Sequence, residues 1–342
     1  MIAGRAQFLI TGATGFIGRR VVRQLLETIR AQNVVCLVKP PATPLEAAAL
    51  ESFRSAGVRL IQGDLLKPAP ADEPAPKVDV VLHLAANIDT NASEEDLLVN
   101  HLGTTRLLDW LRPVSGGTRI LYASSVAVHD RDREPAGPID EGSPLVARTA
   151  YGRTKLLGED IIRSRSSADG YSWTILRLPT VYGPGQKPGG LFDQLIQLTA
   201  QGALLGRIDW PGRTSIIHVD DVAAVMIELS QRADASGEIY CIAAESPTVA
   251  ELSERIARVV KRPRAPVVIP AAVLGVLRLM VWNKAVDRVI PPPARLAFWR
   301  LSLIVSDGFW FDTSKFRHAY DKPLKTVEEG LFDILPSQGP PT

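Results

Sequence analysis

The sequence predicts an α/β protein built on a doubly wound parallel sheet, and three observations carry that expectation. Near its start, the apolar run Phe8-Leu9-Ile10 enters three glycines spaced three apart, Gly12, Gly15 and Gly18, and a helical repeat follows at Val21, Val22, Leu25, Leu26 and Ile29. Later strand-like runs are continuously apolar rather than alternating, the pattern of strands buried on both faces. These runs also alternate with helical stretches, the order that right-handed crossovers convert into a parallel sheet.

Taken in order, the first turn already suggests a ligand. In Gly12-Ala13-Thr14-Gly15-Phe16-Ile17-Gly18, one glycine makes the tight strand-to-helix turn. Another lets the backbone approach a pyrophosphate, and the third lets helix and strand pack closely. Phosphates would sit on free backbone N–H groups at the helix N-terminus, where the macrodipole favours negative charge. The spacing differs from the general Gly-x-Gly-x-x-Gly dinucleotide fingerprint, and three glycines can also simply mark a turn.

Val34–Val38 is the second strand. A cofactor lacking a 2′-phosphate commonly meets an acid about 20 residues beyond the glycines, yet here the chain reads Leu37-Val38-Lys39-Pro40. Lys39 and Arg19 could neutralise a 2′-phosphate, so NADP(H) is favoured over NAD(H); the ordinary alternative is a pair of solvated charges. A helix over residues 45–56 leads to the strand at Val58-Arg59-Leu60-Ile61, then Gly63-Asp64-Leu65. Residues 68–76 form a Pro/Ala-rich loop. Val78–Leu82 is the fourth strand and ends in His83-Leu84-Ala85-Ala86, whose small residues let the backbone pass close to a cofactor ribose. His83 reads as a hydrogen-bonded structural histidine. A long amphipathic helix is expected from Leu97 through Leu111.

Ile120-Leu121-Tyr122-Ala123-Ser124-Ser125 is the fifth strand and delivers hydroxyls at its carboxyl end, where ligands bind in open α/β sheets. Twenty-six residues after Ser125, a helix opens on Tyr151-Gly152-Arg153-Thr154-Lys155. Tyr151 and Lys155, at i and i+4, share a face. A phenol titrating near pH 10 is poorly matched to neutral solution. An ammonium group one turn away and an oxidised nicotinamide ring would bring it down. Ser125 can then hydrogen-bond a substrate oxygen while Tyr151 exchanges its proton, and Lys155 can hold the nicotinamide ribose. Ser124 would touch cofactor or hold the turn. The sixth strand, residues 173–178, runs into Pro179-Thr180-Val181-Tyr182-Gly183-Pro184-Gly185.

These motifs together resemble the extended branch of the short-chain dehydrogenase/reductase superfamily, over nearly the whole chain. The most specific are Gly12–Gly18, the Ser125/Tyr151/Lys155 set and the element Arg177 to Gly185. The pattern Trp310-Phe311-Asp312-Thr313-Ser314-Lys315 is similar to steroid-dehydrogenase-like and flavonol-reductase-like members. The resemblance implies a Rossmann-like sheet over residues 1–180 and a smaller, interleaved substrate lobe over 181–342, with 212–245 returning to the sheet. It implies that the Gly12–Gly18 loop, with Thr14, Phe16 and Ile17, holds the dinucleotide, that Asp64 and Leu65 contact the adenine, and that Pro179 and Val181 meet the nicotinamide carboxamide. Asn100 matches the asparagine that helps hold the active-site region, although a plain helix-face asparagine fits as well. Asp220 and Asp221 would cap a helix. Many relatives dimerise, so a homodimer is a reasonable expectation.

The implied activity is hydride transfer between NADP(H) and a ketone or alcohol carbon of a hydrophobic or mixed small molecule. A nucleotide-sugar epimerase with retained NAD is the alternative, with Arg207, Arg213, Arg278 and Arg288 as ambiguous diphosphate partners. Dehydratases of this family carry Asp-Glu where Val126-Ala127 stands here. A non-catalytic cofactor-sensing protein is a third reading.

Composition agrees with an ordinary globular protein: 342 residues, 46% hydrophobic and 22% charged. The net charge of +2 gives no reason to expect nucleic acid as a partner. Five scattered histidines and two cysteines in apolar runs suggest neither a metal site nor a disulfide. The first strand begins within a few residues of Met1, which makes a cytoplasmic enzyme the default expectation. Residues 267–282 are almost wholly apolar, broken only by Pro270, Gly275 and Arg278. They are too short for a transmembrane span and are expected to form a buried helix of the second lobe, with peripheral membrane contact as the alternative.

Overall fold

The computed structural model describes residues 6–67, 74–89, 92–112, 117–129, 137–186, 188–307 and 309–335. Most of the Pro/Ala-rich loop, 68–73, lies outside them. The strands are β1 (Phe8–Thr11), β2 (Val34–Val38), β3 (Arg59–Gln62), β4 (Val80–His83), β5 (Arg119–Ser125), β6 (Ser172–Leu178), β7 (Thr180–Tyr182), β8 (Ile216–His218) and β9 (Glu238–Cys241). Seven form one sheet in the order β3-β2-β1-β4-β5-β6-β9, every pair parallel. Every residue of β1, β2 and β4 is buried. β3 is one edge, β9 the other, and β3 exposes Arg59 and Gln62. The order reverses between β1 and β4, the switch point where such sheets open a crevice at their carboxyl ends.

Helices α1 (Phe16–Thr28), α2 (Pro44–Ser55), α3 (Leu102–Trp110) and α4 (Ala150–Asp169) make the crossovers. α1 buries Val21, Val22 and Leu25. α2 opens with a capping box, Thr43 accepting from the Glu46 backbone while Glu46 accepts from Thr43, and Pro44 supplies its first turn. The helix expected over 97–111 is shorter: a 3-10 turn spans Leu98–Asn100, and His101, at φ −124° and ψ −47°, separates it from α3. α4 starts on a Thr149 cap and stops at Gly170, which is left-handed at φ 79°.

The second lobe contains α5 (Leu191–Gln201), α6 (Leu204–Arg207), α8 (Val249–Val259), α9 (Ala271–Val281), α10 (Lys284–Val289), α11 (Pro292–Val305) and α13 (Val327–Ile334). Its core holds Phe192, Ile196, Trp210, Leu252, Ile256 and Leu331. α7 (Val219–Ser230) and α12 (Ser314–Ala319) return to the first lobe, placing Val222, Met226, Phe316 and Tyr320 in its core. β7 and β8 pair with each other, apart from the main sheet. The cap of α7 is also a correction. His218, not Asp220 or Asp221, caps it, accepting from the Asp220 N–H. Asp220 instead pairs with Arg20, Arg23 and Lys325.

The buried helix expected over 267–282 is not buried. α9 turns Leu274, Leu277 and Val281 inward, but Val273, Val276, Leu279 and Met280 are large exposed apolar residues. The lobe covers this helix on one side only. No helix among the described residues is long and apolar enough to cross a membrane.

Candidate active site

The crevice at the switch point is a cleft of about 470 Å³. Gly12, Thr14, Gly15, Phe16, Ile17, Gly18 and Arg19 line one wall; Leu84, Ala86, Ser124, Ser125, Tyr151, Lys155, Pro179 and Val181 line the rest. The glycines are required by shape. Gly12 has φ +70°, and a Cβ there would lie 2.7 Å from the Ala85 nitrogen; a Cβ on Gly18 would collide with the Gly12 carbonyl. Gly15 caps α1 without a side-chain hydrogen bond, so the first N–H groups of the helix face the cleft unsatisfied by side chains. Shape and donors fit a dinucleotide pyrophosphate.

Other expected residues sit elsewhere. Lys39 is exposed and is not part of the cleft wall, and Asp64 and Leu65 line a separate hollow of about 20 Å³ with Lys67, Arg106 and Trp110. Ala85 approaches Gly12 through its backbone. Asn100 is fully buried behind the cleft. Its amide accepts from Asn87 N at 2.7 Å and donates to Asn87 O and to Thr154 Oγ1, both at 3.0 Å. Thr154 Oγ1 then donates to Tyr151 O at 2.8 Å, so Asn100 ties the β4 loop to the first turn of α4.

β5 and α4 bring the reactive side chains together. Ser125 ends β5 beside the Tyr151 phenol, and its Oγ accepts from the Ala127 N–H at 3.2 Å. Lys155 is buried, with Nζ 4.1 Å from the centre of the Tyr122 ring. Burial lowers the Lys155 ammonium to about 7, the nearby Glu159 partly opposing. Tyr151 departs from the sequence expectation. Burial raises its phenol and only the neighbouring Ser125 hydroxyl pulls it down. The protein's own groups therefore do not activate it; a full positive charge beside the ring is what would.

Behind these groups lies a buried pair that sequence reading missed. Arg177 donates to both carboxylate oxygens of Glu159, Nε to Oε1 at 3.1 Å and Nη2 to Oε2 at 2.8 Å. Ser124 donates to Oε1 at 2.5 Å, so Ser124 lines the cleft and also completes this cluster. Arg177 Nη1 lies 2.9 Å from His129 Nε2. A guanidinium only donates, so His129 accepts there and carries its hydrogen on Nδ1, facing Pro144 O at 3.2 Å. Glu159 was findable: Tyr151, Lys155 and Glu159 repeat every four residues on one helix face. Glu46 was also missed. It lines the cleft beside Thr43, and Thr-x-x-Glu is the capping-box signature.

His83 is structural. Thr104 Oγ1 donates to Asn100 O, so His83 Nε2 donates to Thr104 at 3.0 Å and Nδ1 accepts from Thr11 Oγ1 at 2.7 Å. Burial, helped by Lys155, depresses its pKa to about 3. Among the described residues one cluster has metal-ligand chemistry, His218, Asp220 and Asp333. Lys325 Nζ already stands in it, 2.6 Å from Asp333 and 3.4 Å from Asp220.

A second cavity, about 620 Å³, opens in the other lobe. Phe192, Leu195, Leu198, Trp210, Leu301 and Ile304 make it strongly apolar. Thr180 is on its wall, between Pro179 and Val181 of the cleft; the two spaces meet at the start of β7.

A model of the NAD dependent epimerase/dehydratase family matches residues 8–243. The chain is 31% identical over 224 residues to a ceramide reductase of Caulobacter vibrioides, covering 65% of this chain and 60% of that one. It is 29% identical over 269 residues to tetraketide alpha-pyrone reductase 2 of Arabidopsis thaliana, covering 73% and 81%. The matches span 56–60% of the length of three of the curated relatives, the ceramide reductase among them. Among solved structures, a UDP-glucuronic acid 4-epimerase of Bacillus cereus in complex with NAD superposes with TM-score 0.70 at 20% identity, over 96% of this chain and 97% of that one. That likeness establishes the fold.

Proposed function

The chain belongs to the NAD dependent epimerase/dehydratase family, whose members are NAD(P)-dependent enzymes of the extended short-chain type, and we propose that it is a reductase or dehydrogenase. It moves a hydride between NADP(H) and a ketone or alcohol carbon of a hydrophobic small molecule. One observation carries this reading: Ser125, Tyr151 and Lys155 line the same cleft as the glycine loop, and an apolar cavity adjoins it across β7. The likeness to a ceramide reductase and an alpha-pyrone reductase supports an apolar carbonyl substrate.

Bound in the cleft, the nicotinamide dinucleotide would supply or accept the hydride. The chain's part is position and proton. Ser125 Oγ donates to the substrate oxygen and orients it. In reduction the Tyr151 phenol gives its proton to that oxygen as negative charge develops there. Lys155, one helical turn on, holds the ribose. Arg19 is the cation that would meet a 2′-phosphate, since Lys39 lies outside the cleft. Glu46 opposes it, but Glu46 Oε2 is already committed to the Ala42 and Thr43 N–H groups.

The epimerase alternative needs cations for a diphosphate. Arg207 donates to Ala265 O, Arg213 to Ser246 O and Arg278 to Val305 O; the Arg288 side chain lies outside the described residues. Three of the four candidates are thus engaged with backbone.

The test is to denature the purified protein and identify any released dinucleotide by mass spectrometry. An empty site that binds NADPH and then reduces apolar ketones supports the reading; one NAD per chain overturns it in favour of a retained cofactor. In Tyr151→Phe, turnover should fall about 10²–10⁴-fold with dinucleotide affinity little changed. Undiminished turnover would remove Tyr151 from the chemistry.

A further inference from the structure

The exposed face of α9 has no polar side chain. Ala271, Ala272, Val273, Gly275, Val276, Leu279 and Met280 are its exposed residues, with Leu279 70% and Val276 57% exposed. Val268 just before the helix is 76% exposed, and Val289 at the end of α10 is 78% exposed. Scattered exposed apolar residues need no explanation, but a contiguous face of this kind does. Arg278, the charge within the helix, is turned inward to Val305 O at 2.7 Å.

The surrounding chain has an equally one-sided charge. Residues 258–306 contain nine Lys and Arg and a single acid, Asp287, while the whole protein carries only +2. Arg258 pairs with Glu328, and Arg264 with Asp209; the segment stays positive after both are discounted. An apolar face set in a basic segment matches an anionic lipid surface, where the cations meet headgroups and the apolar side chains enter the acyl boundary. A second copy of this chain is a poorer occupant, because a two-fold contact would set like-charged segments against each other. The helix has 11 residues and is about 16 Å long, which suits lying in the interface and not spanning it.

We propose that the α9 face docks the protein on anionic membrane surfaces. The docking does not rest on the reaction proposed above. It does have a consequence for it: α11 packs on α9 and also lines the apolar cavity, so docking would set that cavity beside the lipid phase.

The experiment is flotation of the full chain with phosphatidylcholine vesicles, with and without about 30% phosphatidylserine. Binding should be about tenfold stronger on the anionic vesicles and should fall with added salt. Val276→Glu/Leu279→Glu should lose about tenfold of it, and the milder Val276→Ser/Leu279→Ser severalfold, with circular dichroism and dinucleotide binding unchanged in both. The proposal is overturned if the wild type fails to float with either vesicle, or if both variants that keep their fold still float like the wild type. It is also overturned if the wild type self-associates in solution, the variants are monomeric, and no vesicle is bound; the face would then belong to a second copy.

Discussion

Lys155 and Tyr122 are stacked, the ammonium 4.1 Å from the ring centre, deep in the wall between β5 and α4. The electron-rich face of the ring is a partner that keeps a buried ammonium charged, in a place where burial otherwise lowers it to about 7. Glu159, one turn further along α4, works in the same direction. The proton on Lys155 is therefore held by a small balance of terms, and a single side chain can move it.

Tyr122→Leu should tip that balance toward the neutral amine. With the ammonium as the active form, activity is lost as pH rises through the lysine's titration, so the alkaline fall of kcat/KM should move down by roughly half a pH unit. Tyr122→Phe keeps the ring and should leave the profile in place. Equal profiles for all three proteins would mean that the ring has no hold on the proton.

The Glu159–Arg177 pair should show strong coupling. Both side chains are essentially inaccessible. Removing one leaves the other buried and unpaired, at a cost of about 3–5 kcal/mol. Glu159→Leu and Arg177→Met should each lower urea resistance by that order, and the double variant by much less than the sum. Strictly additive losses would contradict the pairing.

His83 should make the fold acid-sensitive over a defined window. Its folded value is about 3, against 6.5 ordinarily. Between these values the unfolded chain binds a proton that the folded chain does not, so stability is complete above about pH 6.5 and declines as pH falls toward 3. Between pH 6.5 and two units below it, this residue accounts for up to about 2.7 kcal/mol of loss. His83→Asn should be less stable at neutral pH but show a shallower decline on acidification, measured by urea unfolding at both values. An unchanged slope would rule His83 out as the source.

Arg19 should decide between cofactors. Arg19→Ala is expected to weaken NADPH binding about tenfold or more and NADH binding about twofold at most. Glu46→Gln keeps an acceptor for the α2 cap while removing the opposing charge, and should strengthen NADPH binding. Equal losses for both dinucleotides in Arg19→Ala would end the case for NADP(H).

The parts of the site that are local in sequence were legible in it. Three glycines between a strand and a helix, a pair of hydroxyls at a strand end, and Tyr151 with Lys155 one turn apart each depend on geometry set within a few residues. So did the continuous apolar runs that became β1, β2 and β4. Tertiary structure decided what lies between distant segments. Glu159 and Arg177 meet across the α4–β6 interface, Glu46 reaches the cleft while Lys39 does not, and Asn100 ties the β4 loop to α4 from behind the site. The same limit explains α9. Hydropathy records that a helix would gain by being covered, but whether anything covers it depends on which elements the rest of the chain can bring there, and here the second lobe reaches only one of its two sides.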